Sequence, residues 1–120
     1  MKRVKVYVFW VSVFACSASA AGLAAGAGSQ KGRAAQVERG REVYAARCVR
    51  CHGEDGRGRT RLADIVEAPD MSDPAWQKGR GNARMIASVA NGRGQMPAFK
   101  KRLSKQEIAA AVAYVRTLRR

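Results

Sequence analysis

Cys48-Val49-Arg50-Cys51-His52 is the stretch that decides the fold. Two thiols three positions apart, with an imidazole directly behind them, form the attachment signature of c-type haem. The spacing follows from the chemistry. Each cysteine sulfur can bond one haem vinyl group, and a two-residue spacer lets one turn of backbone reach both. The histidine next in line then falls beneath the iron and supplies an axial nitrogen. A chain built on this motif needs a second axial ligand, an exported address and a small helical shell.

The second ligand has few candidates. His52 is the only histidine in the 120 residues, so ligation by two histidines is excluded. Beyond the initiator, three methionines remain: Met71, Met85 and Met96. Met85 stands at helical spacing with Ile86 and Val89, the pattern of a packed core residue. Met71 lies among Asp70, Ser72 and Asp73 and reads as a gap-filler. Met96 sits in a loop, Asn91-Gly92-Arg93-Gly94-Gln95-Met96-Pro97-Ala98-Phe99. Glycines there let backbone approach a porphyrin closely, and Pro97 fixes the chain direction just past the sulfur. Met96 is therefore the favoured sixth ligand to iron.

The N-terminus reads as an address. Met1-Lys2-Arg3-Val4-Lys5 is a basic head, Val6 to Ala15 is almost wholly apolar, and Ser17-Ala18-Ser19-Ala20-Ala21 is a run of small residues. That order predicts a secretory signal peptide over residues 1–20, cleaved after Ala20 or nearby. Export of this kind implies a bacterial periplasmic protein. Cys16 offers an alternative, because Val13-Phe14-Ala15-Cys16 loosely resembles a lipoprotein cleavage box; lipidation there would anchor the chain on the periplasmic side. Residues 21–35 are mainly Ala, Gly and Ser without apolar periodicity and are expected to form a flexible lead-in. The folded domain is expected over residues 36–120. So short a domain has a limited core of its own.

The chain carries 23 Lys and Arg against 9 Asp and Glu, a net charge of +14. Residues 1–20 hold Lys2, Arg3 and Lys5 and no acid, so their loss lowers that by three, to +11. Every acid except Glu107 lies between Glu38 and Asp73, whereas the segment from Pro74 onward is strongly basic. Such an excess can mean nucleic acid, but an export signal argues against it. The expected partners are redox proteins with an acidic docking face, guided by Arg93, Lys100, Lys101 and Arg102 beside the Met96 loop. The alternative is a charge that only solubilises. Membrane contact is expected only through a lipidated Cys16 or by docking on a membrane complex.

Periodicity predicts an all-α domain. Val37, Gly40, Tyr44 and Cys48 share one face of a first helix from Gln36 to about Cys48. Gly40 costs propensity, which makes sense where another helix crosses closely. Asp73-Pro74 opens a short turn carrying Trp76. A further helix spans about Ala83 to Ala90, with Asn82 as N-cap and Gly92 as stop. Ser104-Lys105-Gln106-Glu107 is a capping box, and Ile108, Ala111, Val112, Val115 and Leu118 form the apolar stripe of a terminal helix. Gly53 to Met71 is expected to be loop.

Together, the Cys48-to-His52 motif, Gly40 and Tyr44, the Gly94-Gln95-Met96-Pro97 loop and the terminal helix with Tyr114 resemble a class I c-type cytochrome of the small bacterial monohaem type. The resemblance covers about residues 36–120. It implies a compact cytochrome c fold, with three to four helices around one covalently bound haem. The N- and C-terminal helices would cross around Gly40, Tyr44, Ala111 and Tyr114. It implies thioethers from Cys48 and Cys51, with His52 and Met96 on iron. It further implies a backbone carbonyl that orients the His52 ring, for which Pro69 is the candidate. Trp76 and an arginine would face the haem propionates.

On this reading the protein is not an enzyme. It is a periplasmic one-electron carrier with low-spin haem c, passing electrons between respiratory or dehydrogenase partners. The alternatives are a cytochrome subunit of a larger oxidoreductase complex, and a haem peroxidase or gas sensor with a labile Met96. A reading without haem makes Cys48 and Cys51 a dithiol, a disulfide or part of a zinc site. Thioredoxin-like chemistry needs a βαβ setting, which the chain lacks, and structural zinc needs four ligands, whereas the chain without residues 1–20 offers two cysteines and one histidine.

Overall fold

The computed structural model describes residues 24–120. The expected signal peptide, Cys16 and the first residues of the lead-in lie outside that range. Among the described residues the backbone forms six helical segments: α1 (Ala24–Arg47), α2 (Val49–His52), α3 (Arg61–Val66), α4 (Pro74–Lys78), α5 (Asn82–Asn91) and α6 (Lys105–Thr117). Among the described residues there is no strand, only an isolated bridge between Arg93 and Met96.

The long helices cross. Glycine at position 40 is what allows it: a Cβ built there would collide with the Ala110 carbonyl oxygen, so the backbones of α1 and α6 meet with no side chain between them. One turn on, the Tyr44 and Tyr114 rings stand 5.2 Å apart and tilted at 55°, a favoured geometry for aromatic pairs. Tyr44, Met71, Met85, Val112 and Val115 form the buried cluster on the inner side of this crossing.

Caps fix where the helices begin. Ser104 accepts a hydrogen bond from the Glu107 N–H, and Glu107 accepts from the Ser104 N–H, which completes the capping box of α6. Asp73 accepts from the N–H groups of Ala75 and Trp76, with Pro74 in the first turn of α4. The start of α5 falls a residue earlier than the sequence suggests, with Gly81 as N-cap and Gly92 closing it.

Two expectations are corrected. The first helix begins at Ala24, not at the expected Gln36: the segment before Gln36 has no proline to stop it and continues the helix despite its glycines. Residues 61–66 are helical, not loop. The Thr60 hydroxyl caps the Ala63 N–H and donates to the carbonyls of Arg50 and Cys51, each at 3.1 Å, so α3 is started and tied to α2 by one side chain. It ends where Glu67 turns left-handed at φ 54°.

Candidate haem site

The site is built outward from the end of α1. The Cys48 N–H donates to Tyr44 O at 2.8 Å, and the His52 N–H donates to Cys48 O at 2.9 Å, so Cys48, Cys51 and His52 occupy consecutive turns of helical backbone. The Tyr44 hydroxyl donates to Gly53 O at 2.8 Å and fastens the end of this segment to the helix crossing. Burial, with Cys51 alongside, pushes the Cys48 thiol up to about 11. Burial lowers the His52 imidazole below its usual value and favours the neutral ring, which is the form that binds metal.

The Met96 loop faces this segment. Arg93 and Met96 exchange backbone hydrogen bonds at 3.0 and 3.1 Å, and the Phe99 and Lys100 N–H groups donate back to the Val89 and Ala90 carbonyls. The loop thus folds over the C-terminal end of α5. Gly92 permits the turn: its φ is +79°, and a Cβ there would lie 2.7 Å from Met96 O.

Between segment and loop lies a cavity of about 440 Å³, lined among others by Cys48, Cys51, His52 and Met96. All four side chains singled out in the sequence therefore border one space, of a size ordinary for a small-molecule or cofactor site of roughly 300–1,000 Å³. The rest of the wall is largely apolar: Met71, Met85, Val89, Val112 and Val115 from α5, α6 and the segment before α4. Among the described residues, no three His, Cys, Asp or Glu side chains gather as a metal-ion cluster.

Two buried polar atoms in this wall have no partner, His52 Nδ1 and Trp76 Nε1. Pro69 lines the same cavity, but no hydrogen bond from Nδ1 reaches its carbonyl, so the orienting contact expected of Pro69 is not formed here. The Trp76 N–H is the more telling orphan. The Arg80 guanidinium lies 4.5 Å from the Trp76 ring centroid, and both residues border the cavity. A donor and a cation side by side on an apolar wall suit the carboxylates of an otherwise greasy cofactor. The donor set as a whole therefore fits haem: two thiols, an imidazole, a thioether, an anion-compatible corner and an apolar enclosure. Sequence reading does not single out Arg80, because nothing in Lys78-Gly79-Arg80 marks it before the turn after α4 is seen.

Solved structures share this architecture. A c-type cytochrome, KustC0563, superposes with a TM-score of 0.65 at 32% identity, covering 68% of this chain and 98% of its own. Cytochrome cL of Methylophaga aminisulfidivorans shares the fold with a TM-score of 0.56 at 22% identity, covering 69% of this chain and 53% of its own. The class is thereby defined: a small class I c-type cytochrome, whose cofactor is covalent haem c. Residues 35–115 match the family of cytochrome c oxidase, cbb3-type, subunit III, and the chain belongs to that family. Among its relatives, the cbb3-type oxidase subunit FixP of Azorhizobium caulinodans is 37% identical over 92 residues, 76% of this chain and 30% of that protein. The CcoP subunit of Azospirillum brasilense is 37% identical over 86 residues, 71% of this chain and 29% of that protein. The chain thus spans about three tenths of the curated relatives it matches.

Proposed function

We propose that this chain is the electron-transfer domain of an exported cytochrome serving a cbb3-type oxidase complex, with thioethers from Cys48 and Cys51 and with His52 and Met96 on the iron. The carrying observation is that these four side chains border a single, mostly apolar cavity. The family match and the FixP and CcoP relatives favour a subunit or close associate of an oxidase over a free carrier between dehydrogenase partners. Residues 1–20 would direct export to the periplasm, and residues 36–120 would form the haem domain.

Haem bound here would supply a reversible one-electron iron couple. The protein's own residues set the conditions for it. Cys48 and Cys51 sit a turn apart and would hold the group through two thioethers. His52, which burial favours in its neutral form, would give the iron an imidazole nitrogen. Met96, held by the hydrogen-bonded turn with Arg93, would give the iron a soft neutral sulfur, which would favour the reduced state and raise the potential. Met71, Met85, Val112 and Val115 keep water out of the enclosure. If His52 and Met96 both held the iron, no open site would remain for a substrate, and the working surface would be the cavity mouth.

The test is to mature the protein in cells with a haem-ligation system. One haem should remain attached through acid-acetone extraction, and the pyridine haemochrome should show two thioether links. Cys51→Ser should lose the second link. Met96→Ala should lower the potential and let the ferrous protein bind CO quickly. A colourless mature protein, or a Met96→Ala protein with unchanged potential and CO reactivity, would overturn the assignment. Copurification of the tagged native chain with terminal oxidase from source membranes would support the complex; recovery only as a free protein would refute that part.

A further inference from the structure

Behind the Trp76–Arg80 corner of the cavity stands a second guanidinium, that of Arg116, from the last turn of α6. Its donors all serve uncharged acceptors: Nη1 donates to Gln77 O at 2.8 Å, Nη2 to Arg80 O, and Nε to Asn82 Oδ1 at 2.8 Å. Gln77 is 4% exposed, and its amide nitrogen donates to Met71 O and Val115 O, which pins the end of α4 from both sides. The backbone at Arg80 is thus gripped from α6. The Arg80 side chain turns back from that point, lies 4.5 Å from the Trp76 ring centroid and donates to Trp76 O at 3.4 Å.

Half-buried cations this close together are costly unless another group answers their charge. Neither Arg80 nor Arg116 pairs with a carboxylate among the described residues. Arg80 borders the cavity, where a carboxylate of the cofactor would answer both its charge and the buried Trp76 N–H. The other charged groups on the wall are Arg47 from α1, Glu67 behind α3, Arg84 from α5 and Arg93 from the Met96 loop. Arg116 does not border the cavity. Its planar fork is taken up by two carbonyls and a side-chain amide, which is the geometry of a brace.

We propose that Arg116 is a positioning residue for electron transfer. Without touching the cofactor, it fixes the chain at Arg80 so that the Arg80 cation faces the haem carboxylates and holds the reduction potential up. A nearby cation favours the reduced iron, which carries one positive charge less. This rests on the haem assignment above and gives a role to a residue 36 positions further along the chain than the one it places.

The test is a double-mutant cycle read in the midpoint potential of the haem-loaded protein. Arg80→Gln removes the cation and should lower the potential, seen as a severalfold fall in the equilibrium constant for reduction. Arg116→Lys keeps the charge but loses the fork, and should lower the potential by a smaller amount. In the Arg80→Gln background, Arg116→Lys should change nothing further, because it acts through Arg80. Should Arg116→Lys not fold, Asn82→Ala, which strips one acceptor from the fork and no charge, takes its place with the same expectations. An Arg80→Gln or Arg116→Lys protein with the parent potential, or an equal drop from Arg116→Lys in both backgrounds, would overturn the proposal. If covalent haem and a normal spectrum accompany such a result, only the brace is defeated; a parent protein without haem defeats the haem assignment instead.

Discussion

Residues 28–36 and residues 37–47 belong to one helix, yet the first set is exposed throughout while the second buries Gly40, Val43 and Tyr44 against its neighbours. Local composition does not separate them: both stretches contain alanine, glycine and basic residues. What differs is a partner. In the second stretch Gly40 meets the backbone of α6, whereas a Cβ added at Gly28 or Gly32 would meet nothing within 4 Å. Helix in the packed half is enforced by tertiary contact; helix in the projecting half rests on propensity alone, the weaker of the two.

The sharpest way to break this contrast is Gly40→Ala. The new methyl would collide with Ala110 O and stand 2.5 Å from Ala110 C, both backbone atoms of a helix that cannot yield without moving. The expected loss is about 3 kcal/mol in denaturant unfolding of the haem-loaded protein, at the upper end for overpacking. Unchanged stability would mean that the crossing is looser than the geometry implies.

A smaller effect belongs to the start of α6, across from the packed half of α1. Ser104→Ala removes the side-chain cap and should cost about 1 kcal/mol at neutral pH. The capping box also makes a pH prediction. Hydrogen bonds from the Ser104 N–H and hydroxyl hold the Glu107 carboxyl below its ordinary value of 4.5, with the Arg39 cation 3.3 Å away adding to this. A carboxyl depressed on folding stabilises the native state above its unfolded value, and that contribution disappears as pH falls through the folded value. The gap between parent and Ser104→Ala should therefore narrow below pH ~4. A gap constant from pH 7 to pH 3 would show that Glu107 takes no part.

How legible each region is in the sequence follows the same division between local and distant causes. α6 is readable because a capping box and an apolar stripe are written in neighbouring residues. The stop at Gly92 and the short turn at Asp73-Pro74 are readable for the same reason, and so is the pairing of Cys48 and Cys51 with His52. Burial of Met71 and Met85 follows from spacing and setting, and both are buried, at 8% and 6% exposure. α3 is not legible. Its cap is one threonine whose hydroxyl also serves two carbonyls nine and ten residues away, and glycines on one side and a proline on the other mask six helical residues. The Trp76–Arg80 corner is half legible: the turn is visible, but the arginine's place over the indole depends on how the chain leaves α4. Arg116, on α6, donates to the Gln77 and Arg80 carbonyls and to Asn82 Oδ1 and so holds that exit in place, a contact over more than thirty residues that no local pattern announces.

The smallest expected effect is the one that separates the halves of α1 most cleanly, because it has the opposite sign. Gly32→Ala is the same chemical change as Gly40→Ala in the same helix, but its methyl meets nothing. Alanine restores up to ~1 kcal/mol of helix propensity at that point. Residues 28–36 bury nothing, so little of that gain can reach the global unfolding equilibrium. Far-ultraviolet circular dichroism should show slightly more helix, and the denaturation midpoint should stay where it is. A clear loss of stability would mean that the projecting turns pack against something in the mature protein, and would merge the two halves of α1 into one buried element. A clear gain in the global midpoint would mean that they fold together with the core and do not fray apart from it. Only an unchanged midpoint with added helicity keeps the division of labour along α1 intact.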